Sequence, residues 1–173
     1  MSLMLKDKFK ISRRTKFVVL YLLFIAIFSL PYLADKHWGN EKVLNRYNSF
    51  IAMTSASFYN IFASERAVSR GMIIVTGSTA VEIKTGCNGL LMIIIFCSGV
   101  AAFPSSLRYK AYGLFVGMLA IFAFNVVRVD ALILIIKFWP DWFEMAHVTA
   151  AQFIGILFAL VLWIQWLNGV ERA

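Results

Sequence analysis

Four stretches of the chain run apolar for the length of a membrane crossing or close to it, and short polar segments separate them. Phe17 to Ala34 carries no charged side chain. Asn88 to Phe103 is the second such run, and Pro104 ends it. The third begins at Ala111, stays uncharged to Val127, then holds Arg128 and Asp130 before continuing, apolar except for Lys137, to Trp139 and Pro140. The fourth extends from Val148 to Leu167, with Gln152 and Gln165 as its amide side chains. About 20 apolar residues suffice to cross a bilayer as a helix. The pattern therefore predicts helices over 17–34, 88–103, 111–138 and 148–167, the third open to a break near Asn125–Asp130. The first is expected to be a retained helix, because no small-residue cleavage site follows Leu30.

Between the first two runs lies a long polar segment, 35–87, with its own periodicity. Leu44, Tyr47, Ile51, Phe58 and Phe62 recur at helical spacing, with Thr54 or Ser55 filling the missing turn. Asn45, Arg46, Asn48 and Ser57 fall on other faces. This predicts an amphipathic helix lying on the membrane surface. Met72–Val75 and Thr79–Lys84 flank Gly77 and Ser78, which reads as a short β-hairpin. His37 reads as a solvated loop residue. The predicted fold class is all-α: a polytopic membrane bundle of about four transmembrane helices, with an outer amphipathic helix and a hairpin, forming one domain over 1–173.

Composition sharpens this picture. The chain is 61% hydrophobic and 15% charged, against about 45–50% and about 25% in soluble domains. That excludes a disordered chain or an ordinary soluble enzyme. The net charge of +8 could suggest nucleic acid, but Lys6, Lys8, Lys10, Arg13, Arg14 and Lys16 crowd the segment before the first run. Such a cluster reads as membrane-flanking, so no nucleic-acid partner is expected. The positive-inside rule puts residues 1–16, the link 104–110 and the C-terminus in the cytoplasm. The 35–87 segment and residues near 139–147 are then outside.

Three residues could carry chemistry. Cys87 sits between Gly86 and Gly89 at the start of the second run. A helix N-terminus there predicts a thiol pKa below the free value of about 8.5. Arg128 lies about 26 Å along its helix from Ala111 at about 1.5 Å per residue, near the outer side of a hydrocarbon core about 30 Å thick. Intramembrane arginines usually face a partner or a wet cavity. Asn125, one turn earlier, shares its face and offers a hydrogen-bonding neighbour, whereas Asp130 points to another side and offers no counter-ion. His147 opens the fourth helix at the same predicted depth. A thiol, a fixed cation and an imidazole are the parts of a thiol acyl-transfer site. Cys97, among Ile95, Phe96 and Val100, reads as a packing residue.

The run Thr85-Gly86-Cys87-Asn88-Gly89-Leu90, followed by Asn125-Val126-Val127-Arg128-Val129 and by His147 before a last helix containing Gly155, resembles the exosortase/archaeosortase family. The resemblance covers roughly residues 70–165. It implies a catalytic Cys87, Arg128 and His147, with Asn125, Asn88, Gly86 and Gly89 in support. His147 in place of a second arginine suggests the bacterial exosortase branch, and Asn88 stands where many members carry serine. The implied activity is that of a membrane cysteine protease/transpeptidase-like sorting enzyme. Its substrates would be secreted proteins ending in a short motif, a transmembrane helix and a basic tail. The implied setting is the bacterial inner membrane, with the site at the periplasmic face. No metal or organic cofactor is implied. A different class remains open, a non-enzymatic membrane scaffold or assembly factor whose polar residues serve helix packing. A small transporter fits less well, since no span shows paired helix breaks.

Overall fold

The computed structural model describes residues 12–37, 41–84 and 86–171. In chain order the elements are α1 (Arg13–His37), α2 (Lys42–Phe62), β1 (Ala67–Arg70), β2 (Ile73–Thr76), β3 (Thr79–Glu82), α3 (Leu90–Ala102), α4 (Leu107–Phe138) and α5 (Ala151–Glu171). A short 3-10 turn, Pro140–Trp142, and a π-helical turn, Met145–Ala150, join α4 to α5. The basic residues Lys6, Lys8 and Lys10, together with Thr85 of the cysteine motif, lie outside the described residues.

Among the described residues, Arg13–Asp35, Leu107–Phe138 and Met145–Val170 are long and apolar enough to cross a membrane. The fold is the expected helical membrane bundle with a small antiparallel sheet. α3 is apolar but has 13 residues, rising about 20 Å at about 1.5 Å per residue. A hydrocarbon core is about 30 Å thick, so α3 by itself is shorter than a full crossing. Pro104 explains the stop at its C-terminal end, because the residue before a proline is pushed out of the helical region. Phe103 is extended there, at φ −73° and ψ 135°. α4 restarts at once on Ser106, whose hydroxyl accepts from the Tyr109 N–H. It runs unbroken through Asn125–Asp130 to Phe138 and ends before Pro140.

Aromatic side chains seated against small residues hold the bundle. Trp166 of α5 packs over Gly113, and Phe96 of α3 over Gly117. Buried Met92, Phe96, Val100, Ile121 and Ala159 complete this core. Cys97 lies among them as a packing residue. The Trp166 indole N–H donates to Tyr109 O at 3.1 Å, and Phe17 of α1 meets Phe103 and Trp163. Arg13, Arg14 and Lys16, the α3–α4 link and the C-terminal half of α5 therefore share one end of the bundle. The loop entering α3 and the π turn entering α5 share the other.

A second core lies under α2. Ile51, Ala52, Ala56 and Tyr59 pack on Ile74 and Ile83 of the sheet region and on Val129 and Ile133 of α4. This corrects the expected face of the amphipathic helix. Phe58 and Phe62 are exposed and Asn48 is buried, while Leu44 and Ile51 are buried as expected and Ser55 fills the missing turn. The sheet and α4 cover a stripe that mixes Ile51 and Tyr59 with the small Ala52, Ser55 and Ala56, and Phe58 and Phe62 turn outward. The hairpin is also larger than predicted. β1 adds a strand, giving a sheet of order β1-β2-β3. Asn60 anchors β1 by bonding both the N–H and the C=O of Ala67, at 2.7 and 3.0 Å. His37 closes α1 instead of lying in a loop.

Candidate active site

The approach to α3 is built to hold a cysteine. The Cys87 N–H donates to Lys84 O at 3.0 Å, closing a four-residue turn whose third residue, Gly86, has φ +102°. That conformation favours glycine. Asn88 then locks the loop from three sides. Its side-chain amide donates to Asn48 Oδ1 at 2.9 Å, its own Oδ1 accepts from the Leu90 N–H at 3.2 Å, and its carbonyl accepts from the Tyr47 hydroxyl at 3.1 Å. Gly89, at φ +73°, caps α3. A Cβ on Gly89 would lie 3.1 Å from Asn125 Cγ, so this glycine also permits contact between the loop and α4.

The loop carries Cys87 to His147. Sγ lies 3.1 Å from Nε2 of the imidazole and 3.8 Å from Nδ1. The imidazole is positioned from within its own segment. Phe143, four residues earlier, stacks on it with ring centroids 5.3 Å apart and planes 8° from parallel. The π-helical turn Met145–Ala150 contains His147; such turns recur where a helix aims a functional side chain. Both Cys87 and His147 line a cleft of about 280 Å³, so the thiol is reachable.

Arg128 is 7% exposed, and its charge acts on both the Cys87 thiol and the His147 ring. Among the described residues its Nε and Nη2 have no hydrogen-bond partner. Two donors of a fixed cation are thus uncommitted beside a thiol. The expected Asn125–Arg128 hydrogen bond is not formed among these residues. Asn125 is 1% exposed and packs on Gly89, and both of its amide atoms lack partners. Asp130 is buried on α4 with both carboxylate oxygens unpartnered.

The thiol corrects one expectation. Cys87 lies two residues before the cap of α3, outside the first helical turn, and burial pushes its pKa up while Arg128 pulls it down. The net direction is upward. Desolvation outweighs a single cation here, and the helix dipole fades beyond the first turn.

Sequence reasoning passed over four participants: Phe143, Tyr47, Asn48 and strand β3. Only Phe143 left a sequence signal, an aromatic one helical turn before a lone interfacial histidine. Tyr47 and Asn48 act on Asn88 across 41 and 40 residues of chain, and β3 acts through its backbone.

A membrane helix bundle that brings a cysteine and a histidine to one cleft, within reach of a buried arginine's charge, has the composition of a thiol acyl-transfer site. The chain belongs to the transmembrane exosortase family, whose sequence profile matches residues 4–167. It is a membrane protein of a family of cysteine-peptidase-like sorting enzymes. The match runs from the basic N-terminal segment into α5. No curated protein and no solved structure matches the chain in the same comparisons.

Proposed function

We propose that this protein is a sorting protease/transpeptidase that processes the C-terminal signal of secreted proteins through a thioester on Cys87. The observation that carries the reading is the 3.1 Å approach of Cys87 Sγ to His147 Nε2. His147 takes the thiol proton as Sγ attacks the scissile carbonyl carbon. Proton transfer at the moment of attack suits a thiol whose ionisation is disfavoured by burial. Arg128 supports the resulting oxyanion with Nε and Nη2 donors that no described residue engages. When the tetrahedral intermediate collapses, the C–N bond breaks and His147 returns its proton to the leaving amine. A thioester to Cys87 remains. Water or an amine then attacks it, gives a proton to His147 and releases the thiol.

Asn88, Gly86 and Gly89 shape the nucleophile loop, and Asn125 braces it from α4. The substrate class is the one the family resemblance implies, and the location of the site is in keeping with it. A cleft at the end of a short membrane helix suits a motif directly preceding a transmembrane segment with a basic tail. The basic end formed by Arg13, Arg14, Lys16, Arg108 and Lys110 orients the opposite end outward by the positive-inside rule. The site then opens at the periplasmic face of the inner membrane.

The test is co-expression with a secreted protein ending in motif, helix and basic tail. Cys87→Ala should abolish processing at normal membrane levels of the enzyme, while Cys97→Ala should process normally. Full processing by Cys87→Ala would remove the reading and favour a scaffold.

A further inference from the structure

β3 is an outer strand of its sheet, and among the described residues no strand pairs with its free side. Its backbone directions follow from the register. Ile74 lies opposite Val81, and the Ile83 N–H donates to Met72 O at 2.9 Å. In an antiparallel ladder the pairs alternate, so Val81 and Ile83 turn their N–H and C=O groups to β2. Ala80 and Glu82 turn theirs away from it.

That free side faces the candidate active site. The five consecutive residues from Ala80 to Lys84 all line the cleft that holds Cys87 and His147. Successive strand residues point to opposite faces. A cleft touched by five in a row therefore sees the strand along its edge. The segment spans about 13 Å at about 3.3 Å per residue, the length of four to five residues of extended peptide. Leu132, Ile136 and Phe143 form an apolar wall across from it, suited to side chains of such a peptide.

We propose that the sorting-signal peptide binds as an added strand on β3, pairing with the backbones of Ala80 and Glu82 and so presenting its scissile carbonyl to Cys87. This inference rests on the cysteine-enzyme reading above. Acyl transfer needs the carbonyl held at the nucleophile in one orientation. Strand addition supplies that through main-chain hydrogen bonds, while pockets read alternate side chains. Charge favours a substrate over a second copy of this chain. Glu82 on the strand and Lys84 just beyond it are exposed and paired at 3.2 Å, and charged residues at an edge oppose self-pairing.

The probe is acetyl-tetra-alanyl chloromethyl ketone, a peptide electrophile that alkylates a thiol by displacement of chloride. The purified full chain in detergent is treated with this reagent or with iodoacetamide, and the Cys87 alkylation rate is read by mass spectrometry. The peptide-to-iodoacetamide rate ratio removes any effect on the thiol itself. Ala80→Pro and Glu82→Pro delete single outward N–H donors, and each should lower the ratio about fivefold, the net worth of one hydrogen bond. N-methylation of the peptide, one residue at a time on the wild-type protein, should give losses that alternate with a period of two. This arm needs no protein variant to fold. Uniform or absent N-methyl effects, with normal iodoacetamide reaction, overturn strand addition and leave the enzyme reading intact. Peptide labelling that falls as protein concentration rises marks a second copy on the edge and likewise overturns it. If neither reagent alkylates Cys87 faster than the buried Cys97, the enzyme reading falls and the inference falls with it.

Discussion

Phe143 lies on the His147 ring with planes 8° from parallel, and the free side of that imidazole meets the Cys87 thiol. The stack restricts rotation of a half-buried histidine that no described carboxylate orients. Phe143→Ala should therefore lower processing between about tenfold and a hundredfold, the scale for a misplaced catalytic group. Phe143→Tyr keeps the ring and should retain most activity. Processing rates normalised to enzyme level in the membrane fraction check both.

The upward push of burial on the Cys87 thiol gives a pH prediction with a definite sign. A raised pKa keeps the neutral thiol to higher pH, so alkylation by iodoacetamide should be slow at pH 7. It should keep rising beyond about pH 8.5, the free-thiol value. Arg128 opposes the burial effect, so Arg128→Gln should displace the rate profile further upward. A profile levelling near pH 7 would contradict the balance of effects drawn here.

Charge and geometry separate at Arg128. If it contributes only positive charge, lysine should replace it. If it donates to thiolate and oxyanion together, the ammonium fails because it lacks the planar fork. Arg128→Lys should lose at least about tenfold in processing and Arg128→Ala about a hundredfold or more, the scale of a lost oxyanion donor. Both should still insert, since removing an intramembrane charge eases insertion. Membrane-fraction blots supply the control, and wild-type processing by Arg128→Ala would reduce Arg128 to a packing residue.

The two loop glycines should behave differently. A Cβ at Gly86 meets nothing within 4 Å, whereas one at Gly89 would lie 3.1 Å from Asn125 Cγ. Gly86→Ala should cost about 1 kcal/mol through its positive φ alone. Gly89→Ala should cost more and should stop processing by displacing the loop from α4. Adding Asn125→Ala to Gly89→Ala opens the space and should recover part of that excess stability. Thermal unfolding in detergent measures the coupling, which adjacent sites should show as non-additivity.

Hydrophobic patterning alone pointed to the membrane class and to the long apolar helices, because uncharged runs such as Phe17–Ala34 and Val148–Leu167 have no stable alternative in lipid. It also marked Cys87, Arg128 and His147, since a thiol, a charge and an imidazole are conspicuous beside apolar neighbours. Tertiary structure decided what surrounds them. Asn48 looked like a polar-face residue, yet it is buried because Asn88, 40 residues away, consumes its side-chain oxygen. The C-terminal part of the α2 face was misread for the same reason: α4 and the sheet cover Ala56 and Tyr59 rather than Phe58 and Phe62, a choice absent from the periodicity of α2 itself. The thiol's pKa direction depends on how deeply the folded loop seats Cys87, which spacing does not encode. The open edge of β3 is a property of strand order, and strand order exists only once the chain has folded.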